Sequence, residues 1–358
     1  MFVAAAALWT GAPAPDAGPR ILTVRSRGLL FTDNQAGVSG VDAGYSIPAG
    51  RRVLWLFGDV FLQHPTDPDR RWVGGLSNAA LVAPLGRGPE PLRRGRFVTD
   101  RATGLAVEVI PHAPGEGVGT RLWPLGGWHD AARGRLYVYW SRIRTTGSGP
   151  LDFRLEGHGL AEADAADLER IRFRRLPAPD GGELWWPASG PVFGAAVAED
   201  RAAGWLYVLG VRERAGAKEA LLARVRPAQI ADRSAYAYYA GPPVAPRWSP
   251  SPDEAAPVEG LGGFSEASLS WNDYLGGWLA THSVGIEERV RLCLAASPWG
   301  PYRSIGEIGA RHQAFANAFC YAGKEHPHMA KEGGRVVYVT YVDSNRYWLH
   351  LLEVTLAR

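Results

Sequence analysis

Five stretches of this chain repeat one pattern: a strand-like segment, a glycine-containing turn, then an aromatic-rich apolar strand. They are residues 45–57 (YSIPAGRRVLWLF), 128–139 (WHDAARGRLYVY), 197–208 (VAEDRAAGWLYV), 269–280 (LSWNDYLGGWLA) and 329–339 (MAKEGGRVVYV). Measured between Trp55, Tyr137, Tyr207, Trp278 and Tyr338, the steps are 82, 70, 71 and 60 residues. A β-hairpin recurring at a long, loosely constant period is the mark of small sheets repeated around an axis. Five units predict an all-β fold, a five-bladed β-propeller. Such a fold gathers the starts of its five innermost strands around one central funnel, so the polar residues there become the site candidates.

The chain has 358 residues, 46% of them hydrophobic, enough for a large core. A propeller uses that length as one domain, expected here over residues 20–358. The stretch 20–30 (RILTVRSRGLL) reads as a strand that pairs with the last blade and closes the ring, since an open ring leaves exposed edges. Blades are expected at about 40–98, 122–173, 184–239, 264–302 and 321–356. The proline-rich stretch 241–257 reads as a loop, and 159–170 (GLAEADAADLER) as the one short helix.

The formal charge is +3, from 39 basic and 36 acidic residues spread in both signs. That balance does not point to nucleic acid. The basic run 170–175 (RIRFRR) reads as a solvated strand or edge face. No segment is long and apolar enough to span a membrane as a helix. Residues 1–19 resemble a secretory leader: an apolar MFVAAAALW, then small residues at Ala12-Pro-Ala14. No basic segment precedes it, and an upstream start is the reading that goes with this; export is the expectation. Cys293 and Cys320 do not make a disulfide framework; buried free thiols are the plain reading, a single bridge the alternative. No Cys/His spacing suggests zinc.

Asp42 (SGVDAGY) stands where the inner strand of blade one begins. Trp123 and Trp128 bracket that place in blade two, and Trp185-Trp186 lead it in blade three. Ser265-Glu266 holds it in blade four and residues 324–328 (KEHPH) in blade five. Aromatic faces stack on sugar rings and carboxyl groups act on a glycosidic oxygen, so this set suits a carbohydrate site. Asp59 follows an apolar run (VLWLFGD), where burying a charge is costly without partners. Asp42 and Asp59 are 17 residues apart and flank one hairpin, which sets both at the same end of blade one. Each also has a bland reading as a turn former. Asp130, Asp200, Asp273 and Glu332 fall in hairpin turns and read as structural. Asn78 (LSNAAL) is a candidate for orienting a loop or a substrate hydroxyl, and Glu183 is a weaker acid candidate. Of His326 and His328, one is expected in the site. Arg142 is the well-placed cation, able to orient a hydroxyl or a carboxylate.

The segments GVDAG (40–44), WLFGDVF (55–61) and SNAALV (77–82) resemble the opening of a bacterial propeller family first catalogued as a domain of unknown function, which includes endo-D-arabinanases. Residues 264–278 (FSEASLSWNDYLGGW) resemble its fourth repeat, and SPWGPY (297–302) and EHPH (325–328) its later signatures. The resemblance covers roughly residues 25–356. Where the family usually has Thr after FGD, Val60 stands here. The resemblance implies Asp42 and Asp59 as the carboxylate pair of a retaining glycoside hydrolase, with Asp59 favoured as nucleophile and Asp42 as acid/base. The architecture is also similar to arabinanase and invertase propellers, on whose template an acid from a later blade, Glu266 or Glu183, protonates the leaving group.

The first reading is therefore a hydrolase acting on furanoside-containing polysaccharide. A propeller that binds glycans without cleaving them, and a structural or protein-interaction propeller, are the alternatives. The substrate-binding set is Asn78, Trp123, Trp128, Arg142, Trp185, Trp186 and His326. The enzyme is expected to be a monomer that takes a neutral or weakly charged glycan. It is expected to need no cofactor, although a structural calcium near His326 would be compatible.

Overall fold

The computed structural model describes residues 18–64, 69, 71–149, 151–310 and 318–358. Five antiparallel sheets follow one another around the ring. Their innermost strands are Val38–Ala49, Thr120–Asp130, Val192–Asp200, Ala267–Asn272 and Cys320–Glu325. The fold is the five-bladed propeller expected from the hairpins. Of the leader expected over 1–19, residues 1–17 lie outside the described residues.

In the first four blades the inner strand returns directly through the tight turn read in the sequence, into Arg52–Gln63, Arg135–Thr145, Trp205–Arg214 and Gly277–Val284. In blade five the expected glycine turn, Glu332–Gly334, leads into the return strand Val336–Asp343, with Lys331 bridged to Val336. A further 3-10 turn, Pro327–Met329, separates it from Cys320–Glu325. The closing strand Arg20–Leu29 pairs antiparallel with the C-terminal strand Trp348–Ala357, Ile21 opposite Leu356 and Leu29 opposite His350. The first segment of the propeller thus forms the outer edge of the last blade, as the sequence suggested.

The helix expected over 159–170 is not there. Gly159–Asp164 continues the strand Phe153–Asp164, paired in register with the second strand of blade two (Val138 opposite Ala161), and only Leu168–Arg170 makes a 3-10 turn. Ladder hydrogen bonds and burial of Leu160 and Ala161 outweigh the helical preference of the alanines. The basic run 170–175 alternates: Ile171 and Phe173 are buried, while Arg170, Arg172 and Arg174 are exposed. The stretch 241–257 is mostly irregular, with a two-residue strand Trp248–Ser249 added to blade three.

The core lies between neighbouring blades. Trp55, Phe57 and Tyr338 fill the seam of blades five and one. Tyr139, Trp140 and Trp186 fill the seams around blade two. Cys293 sits between blades three and four, and Cys320 between four and five; both are free and buried, and burial pushes their thiols up to about 11 and about 12. Among the described residues no helix is long and apolar enough to cross a membrane.

Candidate active site

The segment Gly40-Val-Asp-Ala-Gly44 does not lie flat in its strand. Pairing with the second strand slips on both sides of Ala43, a bulge that turns Asp42 out of the ladder. Ala43 has φ 62° and Gly44 φ 80°. A Cβ at Gly44 would stand 2.2 Å from Leu349 Cδ2, so blade five packs directly on this backbone. The inner strand of blade five bulges in the same way, with a register slip between Tyr321 and Lys324 and φ 59° at Ala322. Non-glycine residues held in this region of backbone space carry strain and gather at functional sites.

The two bulges bring Tyr321 onto Asp42, and the turn between Val336–Asp343 and Trp348–Ala357 brings Tyr347 there too. Both hydroxyls donate to Oδ2, at 3.0 and 2.9 Å. The other oxygen, Oδ1, lies against Gly58, where a Cβ would fall 2.2 Å away. The glycine of the FGD motif is therefore the space that Asp42 occupies. Asp59 is next in the strand, accepts a hydrogen bond from Trp123 Nε1 at 3.0 Å, and lies 3.5 Å from Arg121 Nε. Asp42 and Asp59 thus come together at one mouth of the funnel.

Glu266 completes the group from blade four. It is half-buried and paired with the ammonium of Lys324, which is itself buried, donates also to the Ala322 carbonyl at 3.0 Å, and sits 4.4 Å over the Tyr45 ring. Tyr45 in turn donates to the Ala195 carbonyl across the channel at 3.0 Å. This layer of Tyr45, Lys324 and Ala195 forms a floor beneath the three carboxyl groups.

Burial pushes the Asp42 carboxyl well above the usual carboxylate range, and the charges of Asp59 and Glu266 push it the same way, against the two tyrosine hydroxyls. Asp59 is also raised, by burial first, but Trp123 and Arg121 oppose the rise. Of the pair, Asp42 holds its proton longer. Burial lowers the Lys324 ammonium, against the pull of Glu266 and Asp42.

An aromatic rim stands beside Asp59. Tyr347 stacks on Phe61 (4.5 Å between centroids, 22° between planes), Trp72 leans on Phe61 at 5.5 Å, and Phe153 meets Trp123 edge-on at 5.1 Å. Trp72 is 62% exposed, so its face is open to a ligand.

Other expected site residues lie elsewhere. Asn78 is fully buried and its amide is consumed: it accepts from Val109 N and Ile110 N and donates to the Ile110 and Leu122 carbonyls. It clamps blade one to blade two and offers nothing to a ligand. Trp185 and Trp186 are buried among Tyr236, Phe193 and Tyr139, with their indole N–H groups bound to the Leu176 carbonyl and Tyr238. Trp186 pairs opposite His158 on the third strand of blade two and does not lead the inner strand of blade three. Arg142 stands at this mouth but is held by Glu156 (3.0 Å) and Glu183 (3.7 Å). Glu183 is in turn 3.0 Å from Arg175, so two guanidiniums hold it away from the pair.

Trp128 and His326 lie at the far end of the channel. Trp128 is five residues beyond Trp123 on an extended strand, about 16 Å at roughly 3.3 Å per residue. The inner strand of blade five ends at Glu325, so residues 324–328 close that strand instead of starting it. His326 is buried against Trp55 (4.4 Å), with Nδ1 on Ser46 Oγ and Nε2 on Thr340 Oγ1, both at 2.8 Å. Both ring nitrogens are committed, so it has none to give a calcium ion. Among the described residues no three His, Cys, Asp or Glu side chains gather to hold a metal.

Sequence reasoning missed Tyr321, Tyr347 and Arg121, and named Lys324 only within the segment 324–328, without a role. The signal for the two tyrosines was ring closure, which carries the start of blade five's inner strand and the turn before its C-terminal strand to the start of blade one. Arg121 is two residues before Trp123 on a strand already read as a funnel strand.

Among solved structures, a family 117 glycoside hydrolase of the marine bacterium Zobellia galactanivorans is similar over 94% of this chain and 91% of its own, at 11% identity and a TM-score of 0.48. An α-L-arabinofuranosidase of Podospora anserina is similar over 95% and 98%, at 9% identity and 0.47. A xylan β-1,4-xylosidase of Bacillus halodurans is similar over 90% of this chain and 53% of that one, at 13% identity and 0.48. No curated protein matches the sequence. The family model described as a domain of unknown function, DUF4185, matches residues 28–353, and the chain belongs to that family.

Proposed function

We propose that the chain is a glycoside hydrolase that cleaves furanoside-containing polysaccharide, as the resemblance to endo-D-arabinanases suggests, and that it works by double displacement on Asp59 and Asp42. The observation that carries this reading is the contrast between two neighbouring carboxyl groups. Asp59 is supported as an anion by an indole N–H and a guanidinium, and Asp42 is pressed to stay protonated by burial and two negative neighbours. Two carboxyl groups with separated proton affinities are what acid/base and nucleophilic roles need.

In the first step the Asp59 carboxylate attacks the anomeric carbon. The bond to the leaving oxygen breaks and Asp42 delivers its proton to that oxygen. Oδ2 of Asp42 accepts both tyrosine hydroxyls, which leaves Oδ1 to carry the proton. In the second step Asp42, now a carboxylate, takes a proton from water. The water oxygen attacks the anomeric carbon and the ester to Asp59 breaks, restoring both groups. Glu266, paired with Lys324, contributes its charge to keeping the proton on Asp42. The exposed rim of Trp72, Phe61 and Tyr347 supports stacking of a neutral glycan. The reading goes with an exported monomer.

The test is a screen of the purified protein against arabinan, arabinogalactan, fructan and xylan. Soluble oligosaccharides from one furanoside polymer are expected. Binding without cleavage on every polymer would replace the hydrolase with a glycan-binding propeller.

A further inference from the structure

Two residues that sequence chemistry assigned to sugar binding, Trp128 and His326, are absent from the catalytic mouth and meet again at the opposite one. There the channel widens into a cavity of about 410 Å³. Small-molecule sites occupy roughly 300–1,000 Å³, so this volume suits one small ligand. Its inner end includes Tyr45 and Lys324, from the floor that underlies the carboxyl groups on the other side, and its rim includes the exposed Gly50, Ala131 and Arg201.

The lining selects a chemistry. Its positive charges are already paired: Lys324 with Glu266, and Arg201 with Glu199 at 3.1 Å. An anion therefore finds no free cation. No three carboxylates or imidazoles gather among the described residues, so a metal ion finds no ligand set. Burial holds His326 and His328 neutral, the latter lowered to about 4, and raises Glu325 to about 7. What remains is a wall of neutral donors and acceptors, Ser46, Ser268 and His328, beside Glu325, whose carboxyl is part-protonated near neutral pH and held by Ser270 at 2.7 Å. His328 Nε2 is buried with no hydrogen-bond partner among the described residues, at a cost of about 1–3 kcal/mol. One flat apolar surface completes the set. Trp128 is half-buried and stacked on Tyr137 (6.4 Å, 16°), and it too lines the cavity.

We propose that this far mouth is a second sugar site, which takes a neutral monosaccharide unit with a ring face on Trp128 and hydroxyls on Ser46, His328 and Glu325. The site is separate from the carboxylate pair and does not depend on the hydrolase reading.

The test is calorimetric titration of the full chain with D-arabinose, D-xylose and D-galactose, with hydrogen exchange read in parallel. Asp59→Asn should bind one of these sugars as the wild type does. Trp128→Ala should bind it at least about tenfold more weakly, while its rate on polysaccharide stays within about twofold of wild type. Bound sugar should protect residues 44–50 and 126–131, a readout independent of any variant's folding. No binding of any of the three sugars would overturn the proposal, as would wild-type affinity in Trp128→Ala. So would protection confined to residues 57–61 and 121–123, which would place the sugar at the catalytic mouth. Absence of hydrolysis with Trp128-dependent binding intact would count against the catalytic reading alone.

Discussion

At the scale of single residues, the proposed site rests on a contrast. Asp42 and Asp59 are both buried carboxyl groups. The charges of Asp59 and Glu266 press Asp42 to keep its proton against two tyrosine donors, whereas an indole N–H and a guanidinium favour the Asp59 anion against the charge of Glu108. Activity should therefore trace a bell against pH. The acidic limb is the loss of the Asp59 anion, and the alkaline limb is the loss of the Asp42 proton, set above the ordinary carboxylate range. Glu266→Gln removes a charge that holds that proton, so the alkaline limb should move to lower pH; an unmoved limb would detach Glu266 from Asp42. Glu325 gives a stability prediction with a definite sign. Its carboxyl is raised to about 7 from 4.5, so the folded chain binds that proton more tightly than the unfolded chain. Its contribution is full below the unfolded value and is lost as pH rises through about 7. Glu325→Gln should remove this loss, so that the variant gains on the wild type between pH 5 and 8 in chemical denaturation. An equal pH slope in both proteins would contradict it. The neutral histidines His326 and His328 act in the opposite direction, since their contribution is lost as pH falls below about 6.5.

At the scale of elements, hairpins were legible and their ends were not. A glycine turn followed by WLF, LYVY or VVYV names a strand pair because the periodicity and the turn chemistry agree. Asp42 and Asp59 were legible together for the same reason, because one hairpin fixes both to one end. Trp128 was placed at the wrong mouth because an inner strand runs the depth of the channel, and five residues along it separate two surfaces. Trp185 and Trp186 were misplaced because a short strand pairs Trp186 with blade two. The helix at 159–170 failed because pairing with Arg135–Thr145 overrides local preference. Two element-scale predictions follow from packing. Gly58→Ala places a methyl where Asp42 Oδ1 stands, and a shift of about 1 Å in a reacting group can cost about 100-fold. Turnover should fall by at least about tenfold, and wild-type turnover would show that Asp42 is not positioned by this glycine. The closing strand Arg20–Leu29 is mostly exposed, with Leu22 at 46% and Val24 at 41%. Its work is to cover the edge of Trp348–Ala357. Deleting residues 1–29 should produce aggregation, seen by light scattering, more than a loss of blade packing. A monodisperse truncated chain would contradict that role.

At the scale of the whole molecule, the ring is what makes the site. Tyr321 and Tyr347 donate to an aspartate 279 and 305 positions away in sequence. Only closure of blade five against blade one brings them there, which is why no local pattern announced them. The same closure places Lys324 between Glu266 and Tyr45, a floor that divides the channel into two mouths. Hydrolysis by two carboxyl groups and water needs no metal step, so dialysis against EDTA should leave turnover within about twofold. Metal-reversible loss of activity in a folded chain would show an essential ion. The claim that binds these scales together is that the pair at one mouth performs the chemistry. Its most direct test is the initial rate of reducing-end release from D-arabinan by the wild type, Asp42→Asn and Asp59→Asn, with folding checked by circular dichroism. The account predicts losses of at least about 100-fold in both variants, each with an unchanged fold. Rates within a few-fold of wild type in both would contradict it and move the chemistry away from the Asp42–Asp59 pair.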